Sequence, residues 1–516
     1  MSLKSCIFCS VISIYSVFSV VGDLHAQCYT FGPNVRVNDD PAGSVHHTTL
    51  SSGGHTIAAR GDTVYLAWAD DRGPVRSIYF SKSVDKGLTW SENRKVSGDD
   101  DSYFQSLAAD EKGYIYVVWS NDYSDIYHTR STDGGESFGP ITVVNDTIPS
   151  PGWFPSVAAD TCGNVYVAWE DFRQDKPDIY FAKSTDGGSS FGPSIRVDDT
   201  GTGDSHQWHP TIGVDRSEEC VHIAWMDDRP GGDLLFHIYS ATSTDGGESF
   251  GPNVLVVDTS GGGSTERQGD PSLVVGDDGV VYVVWTDFRG GTHIRFSKSI
   301  DHGDSFIGET VVSSHPGSQS QAYASLAHDS SGNLYVAWRD YMDWPSEFDI
   351  YFAMSTDGGD SFVCHTRVDD TGNDGSWQWN PTIAVNENGD VFVAWEDDRH
   401  FPAPPGFDIY FASGALTGIY EDVNDWVIVD DLQVRVYPNP FSKCCWFRIP
   451  PSASHPRIAI YNVMGQKVRG LYLSPGEQSM AWDGSDSQGR DLPPGHYFCR
   501  LSVGGEGKTT KLVKVH

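Results

Sequence analysis

The chain has 516 residues, 70 acidic against 35 basic side chains for a net charge of −35, and 38% hydrophobic residues that include 16 Trp, 23 Tyr and 25 Phe. Such aromatic content excludes disorder. The charge excludes binding nucleic acid by phosphate neutralisation and docking on anionic lipid, both of which need a cationic surface.

Residues 1–26 read as an export signal: Lys4 supplies the positive end, Cys6 to Gly22 is largely apolar, and Leu24-His25-Ala26 permits cleavage after Ala26. The mature chain is expected to begin near Gln27. Cys28 invites a lipoprotein reading, but His25-Ala26-Gln27 matches the small-residue pattern before a lipidated Cys poorly. No later apolar stretch is long enough to span a bilayer, so no transmembrane helix is expected after signal removal. Seven of nine Cys remain (Cys28, Cys162, Cys220, Cys364, Cys444, Cys445 and Cys499), without a CxxC pair or a zinc-like spacing. One or two structural disulfides are expected, with their connectivity open.

From there to residue 418 the chain repeats. An apolar strand ends in Trp at Trp68, Trp119, Trp169, Trp225, Trp285, Trp338 and Trp395, at spacings of 51, 50, 56, 60, 53 and 57 residues. Each unit reads as four short strands, seen in the third as 155–160, 164–171, 178–184 and 194–199, with alternating apolar residues and Gly/Asp turns. Four strands in about 50 residues is the arithmetic of a β-propeller blade.

Between the third and fourth strands a turn recurs: SVDKGLTW (83–90), STDGGESF (131–138), STDGGSSF (184–191), STDGGESF (243–250), SIDHGDSF (299–306) and STDGGDSF (355–362). It resembles the Asp-box, or bacterial neuraminidase repeat, of the sialidase superfamily. Asp85, Asp133, Asp186, Asp245, Asp301 and Asp357 are expected to accept hydrogen bonds from their own turns while Gly supplies positive φ, so the motif builds structure. The seventh repeat starts such a box at 409–418 and stops; Thr30-Phe31-Gly32-Pro33 followed by NVRVND (34–39) supplies the missing half. Val35 to Asn38 is therefore expected to be the outermost strand of the last blade, closing the ring.

After an acidic connector (419–432), residues 433–516 hold eleven Lys/Arg and five Asp/Glu, leaving −41 on everything before. VYPNPFSKCCWFRIP (436–450), RIAIYNVMGQKVR (457–469), AWDGSDSQGRDLPPGHYFCRL (481–501) and the terminal KTTKLVKVH resemble the C-terminal sorting domain of the type IX secretion system, with an immunoglobulin-like sandwich. The resemblance implies the type IX machinery as a partner, export, and release or anchoring at the cell surface.

Candidate ligand residues lie on the face opposite the Asp-boxes. A W-x-D-x-R pattern places Arg72, Arg173, Arg229, Arg289 and Arg399 two residues after Asp70, Asp171, Asp227, Asp287 and Asp397; repeats two and six carry Asp122-Tyr123 and Asp340-Tyr341 instead. Guanidinium forks fit a ligand carboxylate or sulfate. They equally fit an Asp of their own or the neighbouring blade, and fivefold repetition favours that reading. Two long similar loops, 197–212 and 368–383, set Trp208, Trp377 and Trp379 beside His206, Gln207, His209, Gln378 and Asn380, with Trp153, Tyr103 and Tyr323 in comparable places. Aromatic faces beside amides suit sugar rings; they also serve to fill gaps between blades. Asp198-Asp199 and Asp369-Asp370 offer oxygen ligands of the kind Ca²⁺ takes, without a complete calcium loop.

Sialidases bring three Arg, a Tyr nucleophile with its Glu, an Asp acid/base and an F/Y-R-I-P motif at the propeller start. Here FRIP occurs at Phe447-Arg448-Ile449-Pro450, in the C-terminal segment, and seven repeats replace the usual six. Tyr123 or Tyr341 with Glu170 or Glu396 fits a nucleophile and helper, but the catalytic set is not recognisable. The expectation is an all-β chain: signal peptide (1–26), seven-bladed Asp-box propeller (27–418), linker (419–432) and immunoglobulin-like sorting domain (433–516). It is secreted or attached at the outer-membrane surface and binds a glycan or glycoprotein, with glycoside hydrolysis by an exo-glycosidase left open. The alternative is a non-catalytic protein-binding or adhesion scaffold.

Overall fold

The computed structural model describes residues 27–514 apart from 42–46, 49–54, 122–124, 148–150, 175, 202–204, 216–219, 230–234, 258–266, 314–317, 343–346, 373–374, 401–405, 420–434, 438–444, 449–456, 463–465, 473–478, 487, 489 and 504–505. The export signal, most of the linker, Tyr123, and Ile449-Pro450 of the FRIP run lie outside the described residues. Among the described residues every regular element is a β-strand. One compact unit spans Cys28–Gly418 and another contains Ile419–His516.

In the first unit the strands form seven antiparallel sheets of four or five strands, one for each Trp anchor. In the third, Gly152–Ala159, Val165–Asp171, Asp178–Ser184 and Ile195–Arg196 pair in chain order. The Val165–Asp171 strand is buried along its whole length, which explains its nearly unbroken apolar run. First strands of successive sheets lie side by side, and that of the last sheet, Gln378–Val385, lies beside Ile57–Arg60 of the first, giving propeller-like repeated blades. The apolar core sits between sheets: Tyr166 and Phe181 of the third, for example, pack with Ile212, Ile223 and Trp225 of the fourth.

The first strand starts earlier than the sequence pattern suggested. In the third sheet Gly152 and Trp153 already pair with Asp171 and Glu170, and the register then slips before Ser156 meets Ala168. Pro155, which has no N–H to donate, stands inside that bulge.

The recurrent turns are held by hydrogen bonds within each turn. Asp245 accepts the Ser249 N–H at 2.9 Å and its hydroxyl at 2.6 Å, while Ser243 Oγ accepts the Gly247 N–H at 2.8 Å. These hydroxyl and N–H donors push the Asp245 carboxyl down to about 2. Gly247 sits at φ +91°, and a Cβ there would meet the Phe181 ring at 2.6 Å, so neither conformation nor space admits a side chain. Each turn is thereby pressed onto the preceding sheet, with Phe250 edge-on to Phe181 at 5.1 Å.

Both Gln27–Phe31 and Val35–Arg36 pair with Asp408–Ile419, placing Val35 opposite Phe411 and Arg36 opposite Tyr410. Phe31 lies 5.3 Å from Phe352, in the seat that Phe250 takes on Phe181. A disulfide joins Cys28 to Cys364, on the outer strand of the sixth sheet, across 336 positions of sequence.

In the second unit, Arg435–Tyr437, Cys445–Arg448 and Ser479–Trp482 form one sheet, and Arg457–Asn462, Lys467–Tyr472, Gly495–Val503 and Glu506–Lys514 another. Its buried apolar side chains include Ile458, Ile460, Trp482, Tyr497 and Leu512.

Because the disulfide closes so long a loop, Cys28→Ser is expected to cost about 2–5 kcal/mol in stability. Denaturant unfolding of the oxidised protein and the variant checks this. Deletion of residues 27–40 should lower the melting temperature of the whole first unit further, and unchanged melting would exclude the terminal strands as its clasp.

Candidate functional site

Where the sequence placed candidate arginines, the structure shows a rim of paired charges. Asp227 is wholly buried and accepts from Trp225 Nε1 at 3.1 Å and from Arg229 at 2.7 Å. Arg229 reaches on to Asp199, 2.5 Å away at the end of the preceding sheet, and to Asn253 at 2.7 Å. Arg399 joins Asp397, Asp370 and Asn34 in the same way, and Arg173 joins Asp171 and Asp146. Arg289 pairs with Asp287 and Glu309 of its own sheet. Guanidiniums of Arg173, Arg229 and Arg399 also cover Tyr180, Tyr239 and Tyr410 at 4.0–4.3 Å.

The Asp-rich turns are occupied similarly. Asp198 and Asp369 bind Arg196 and Arg367 at 2.6 Å, and Asp199 and Asp370 belong to the rim. Among the described residues no group of three His, Cys, Asp or Glu side chains is arranged to hold a metal ion.

The two ends of the ring differ. At the end that carries the recurrent aspartate turns a cavity of about 400 Å³ is lined by Arg60, Asp110, Asp160, Asp329 and Glu387 among others. Three of its aspartates are consumed by their own turns: Asp110 accepts the N–H groups of Lys112 and Tyr114, Asp160 that of Asn164, and Asp329 those of Ser331 and Asn333.

At the opposite end the bulges create an unusual ring. In six successive sheets the residue within the bulge is not glycine yet has positive φ: Phe104 (53°), Phe154 (47°), His209 (55°), Asp270 (50°), Tyr323 (57°) and Asn380 (48°). Such backbone costs about 1–3 kcal/mol per residue and is characteristically retained at functional sites. Neighbours along the ring touch: Phe104 and Phe154 at 3.9 Å between ring centroids, Phe154 and His209 at 4.6 Å, and His209 Nδ1 and Asp270 Oδ1 at 3.0 Å.

A second tier comes from the middle residue of each W-x-D. In three sheets it accepts the N–H of the strained residue in the next: Glu170 from His209 at 2.7 Å, Met226 Sδ from Asp270 at 3.4 Å and Thr286 from Tyr323 at 3.2 Å. Glu396 accepts from the Asn380 side chain at 2.9 Å. In the sixth sheet the position is Arg339, only 8% exposed and stacked against Trp379 (4.1 Å), Phe348 (4.3 Å) and Tyr323 (4.7 Å). Its Nε and Nη1 are buried without a hydrogen-bond partner.

Together these side chains line this end of the ring, called the cup below: aromatic on the Phe104–Phe154 side, polar and ionisable from His209 round to Asn380. Burial pushes the Glu170 carboxyl up to about 7 against the opposing pull of His209. Burial depresses the His209 imidazole, but its bond to Asp270 and the charges of Asp270 and Glu170 outweigh that and leave it above its usual value. Burial lowers the Arg339 pKa and raises that of Tyr323.

Of the residues singled out in the sequence, His209, Trp379, Asn380, Tyr323, Glu170 and Glu396 converge here. Trp377, 40% exposed, lies beside Trp379 at 6.3 Å. Trp208 stacks on Phe236 at 5.2 Å, and His206 is held by Asp228 at 2.7 Å. Trp153 packs on Phe172 at 4.8 Å, and Tyr341 packs on Phe348 at 5.0 Å. Arg339, Asp270, Phe104 and Phe154 were missed. The signal for the bulges was Pro155, Pro210, Pro271 and Pro381 inside otherwise regular strands; that for Arg339 was a lone cation at a position elsewhere Ala, Ser, Glu, Met or Thr.

Residues 435–515 match the family described as the secretion system C-terminal sorting domain. Such a domain marks its chain for export. No curated protein matches the chain. Among solved structures it is similar to an ulvan lyase of a polysaccharide lyase family (TM-score 0.49, 11% identity, covering 74% of this chain and 94% of that one). It is also similar to the α-L-arabinanase of Penicillium chrysogenum (0.45, 15%, 62% and 94%) and to a Hadza microbial sialidase (0.41, 17%, 69% and 74%).

Folded Glu170 keeps its proton to about pH 7, whereas an unfolded glutamate releases it near 4.5, so stability falls as pH rises through that window. Glu170→Gln should therefore lose about 2–3 kcal/mol less stability than the parent between pH 5 and pH 7.5. Urea midpoints at the two pH values test this; parallel losses would place the proton elsewhere.

Proposed function

We propose that the protein is a secreted, surface-displayed glycan-binding protein: a seven-bladed Asp-box propeller that presents the cup, followed by an immunoglobulin-like domain that engages the type IX secretion machinery. The observation carrying this reading is the ring of six strained non-glycine residues, which turns one end of the propeller into a continuous lining of rings, amides and carboxyls. Sugar rings offer apolar C–H faces to aromatic side chains and hydroxyls to polar ones. Trp377 and Trp379 supply the first kind of surface next to Asn380 and Glu396, which supply the second. The rim arginines hold the cup's frame through their paired carboxylates.

Trp379→Ala combined with Asn380→Ala is expected to weaken retention on an immobilised glycan panel at least tenfold, as loss of one stacking and one amide contact implies, while circular dichroism stays unchanged. Undiminished retention by the folded double variant would move the site away from the cup.

Glycoside hydrolysis is the second reading, favoured by one observation: Glu170 remains protonated to about pH 7, as a general acid must. Turnover predicts release of a sugar with a bell-shaped pH dependence whose basic limb disappears in Glu170→Gln. An absence of released sugar from the folded protein across pH 4–9 would leave binding alone.

A further inference from the structure

We propose that Arg339 makes the cup selective for acidic sugars, receiving a monoanionic substituent, a uronate carboxylate or a sulfate ester, at its open guanidinium edge. The inference rests on the glycan reading above and specifies its ligand.

Four observations support it. First, the chain carries twice as many carboxylates as cations, yet among the described residues none lies within ion-pair distance of Arg339; the rim residues Arg72, Arg229 and Arg399 each hold at least two. A guanidinium does not shed its proton in a protein, and a buried unpaired charge costs several kcal/mol. Second, the side chain cannot perform the support role of its position, because Glu170, Met226 and Thr286 act there as acceptors and arginine has donors alone. Third, its flat faces are taken by Trp379, Phe348 and Tyr323, and Nε and Nη1 are sealed, which leaves Nη2 as the approachable nitrogen. A charge-assisted hydrogen bond formed at so desolvated a group is stronger than one at the surface. Fourth, Asp270 and Glu396 lie near enough to act electrostatically on Tyr323, and Asp270 on Arg339, so a monoanion at the guanidinium meets about half the repulsion from them that a phosphate dianion would.

The ring bearing the anion would then lie within reach of Trp379 and Trp377. The stacked aromatics hold the guanidinium whether or not a ligand is present, so the charge is already oriented before binding.

The test uses the full-length protein and a uronate oligosaccharide, its carboxyl-reduced neutral counterpart, and a sulfated form of that neutral chain. Titration calorimetry should show the wild type binding the uronate or the sulfated chain at least tenfold more tightly than the neutral one, and which of the two gains names the anion. Arg339→Met keeps volume and apolar contact with the three rings while removing charge. It should erase the preference and leave neutral binding, and Arg339→Lys should restore part of it. Equal affinity of the wild type for all three chains, or an unchanged preference in Arg339→Met, overturns the inference while leaving glycan binding standing. Binding of none of the three removes both readings. Should Arg339→Met fail to fold, melting of the wild type with free glucuronate against glucose decides: a rise with glucuronate alone supports the anion edge, and equal curves refute it.

Discussion

A carboxylate without exposed surface beneath each of six tryptophan anchors is the constraint from which the ring follows. Asp70, Asp171, Asp227, Asp287, Asp340 and Asp397 each accept from the indole of the anchor two residues earlier, at 2.9–3.2 Å. One indole does not neutralise a buried charge, and an unpaired carboxylate in that position would be strongly unfavourable. In five of the six, all but Asp340, the arginine two residues on supplies the counter-charge, and its remaining N–H groups extend in Arg72, Arg173, Arg229 and Arg399 to an Asp on the preceding sheet. Satisfying a charge inside one sheet thus ties that sheet to its neighbour. Apolar packing between sheets contributes the bulk of the burial, whereas these pairs fix the angular register.

The sixth sheet departs from this scheme, and the departure is what distinguishes the cup. Tyr341 follows Asp340 where five other sheets lead on to the rim arginine, and Asp340 has Gln321 at 3.5 Å. The cation stands instead one residue before Asp340, as Arg339, packed among aromatic rings. Repetition builds the frame, and a break in repetition supplies the chemistry. The same contrast runs round the mouth, where one backbone conformation is kept in six sheets while the side chains change from phenylalanine to histidine, aspartate, tyrosine and asparagine.

Most of the frame was legible in the sequence because its signals are local. Anchor tryptophans, strand alternation and the recurrent aspartate turns depend on residues within a few positions of one another, and even the terminal clasp was visible as half a repeat displaced to the other end. The site was legible only in pieces. Trp379, Asn380 and His209 stood out by residue type, as did Trp208, which the fold places against Phe236. Arg339 did not, since its meaning lies in having no carboxylate partner, a property of three dimensions. The early starts of four inner strands were hidden by prolines (Pro155, Pro210, Pro271 and Pro381) that ordinarily argue against a strand and here sit in bulges.

Ring closure by the first strands has a consequence for the order of events during biosynthesis. Residues 27–36 emerge from the ribosome before the seven sheets' other strands, but their partner, Asp408–Ile419, is made only after six sheets' worth of chain. Until then the nascent protein carries two unpaired sheet edges, the kind of surface that templates aggregation. Contacts so distant in sequence also form slowly. The sorting segment at 435–515 is translated immediately after the closing strand. The mark for export and the competence to seal the ring therefore become available almost together, and the oxidation that joins Cys28 to Cys364 belongs to the compartment beyond.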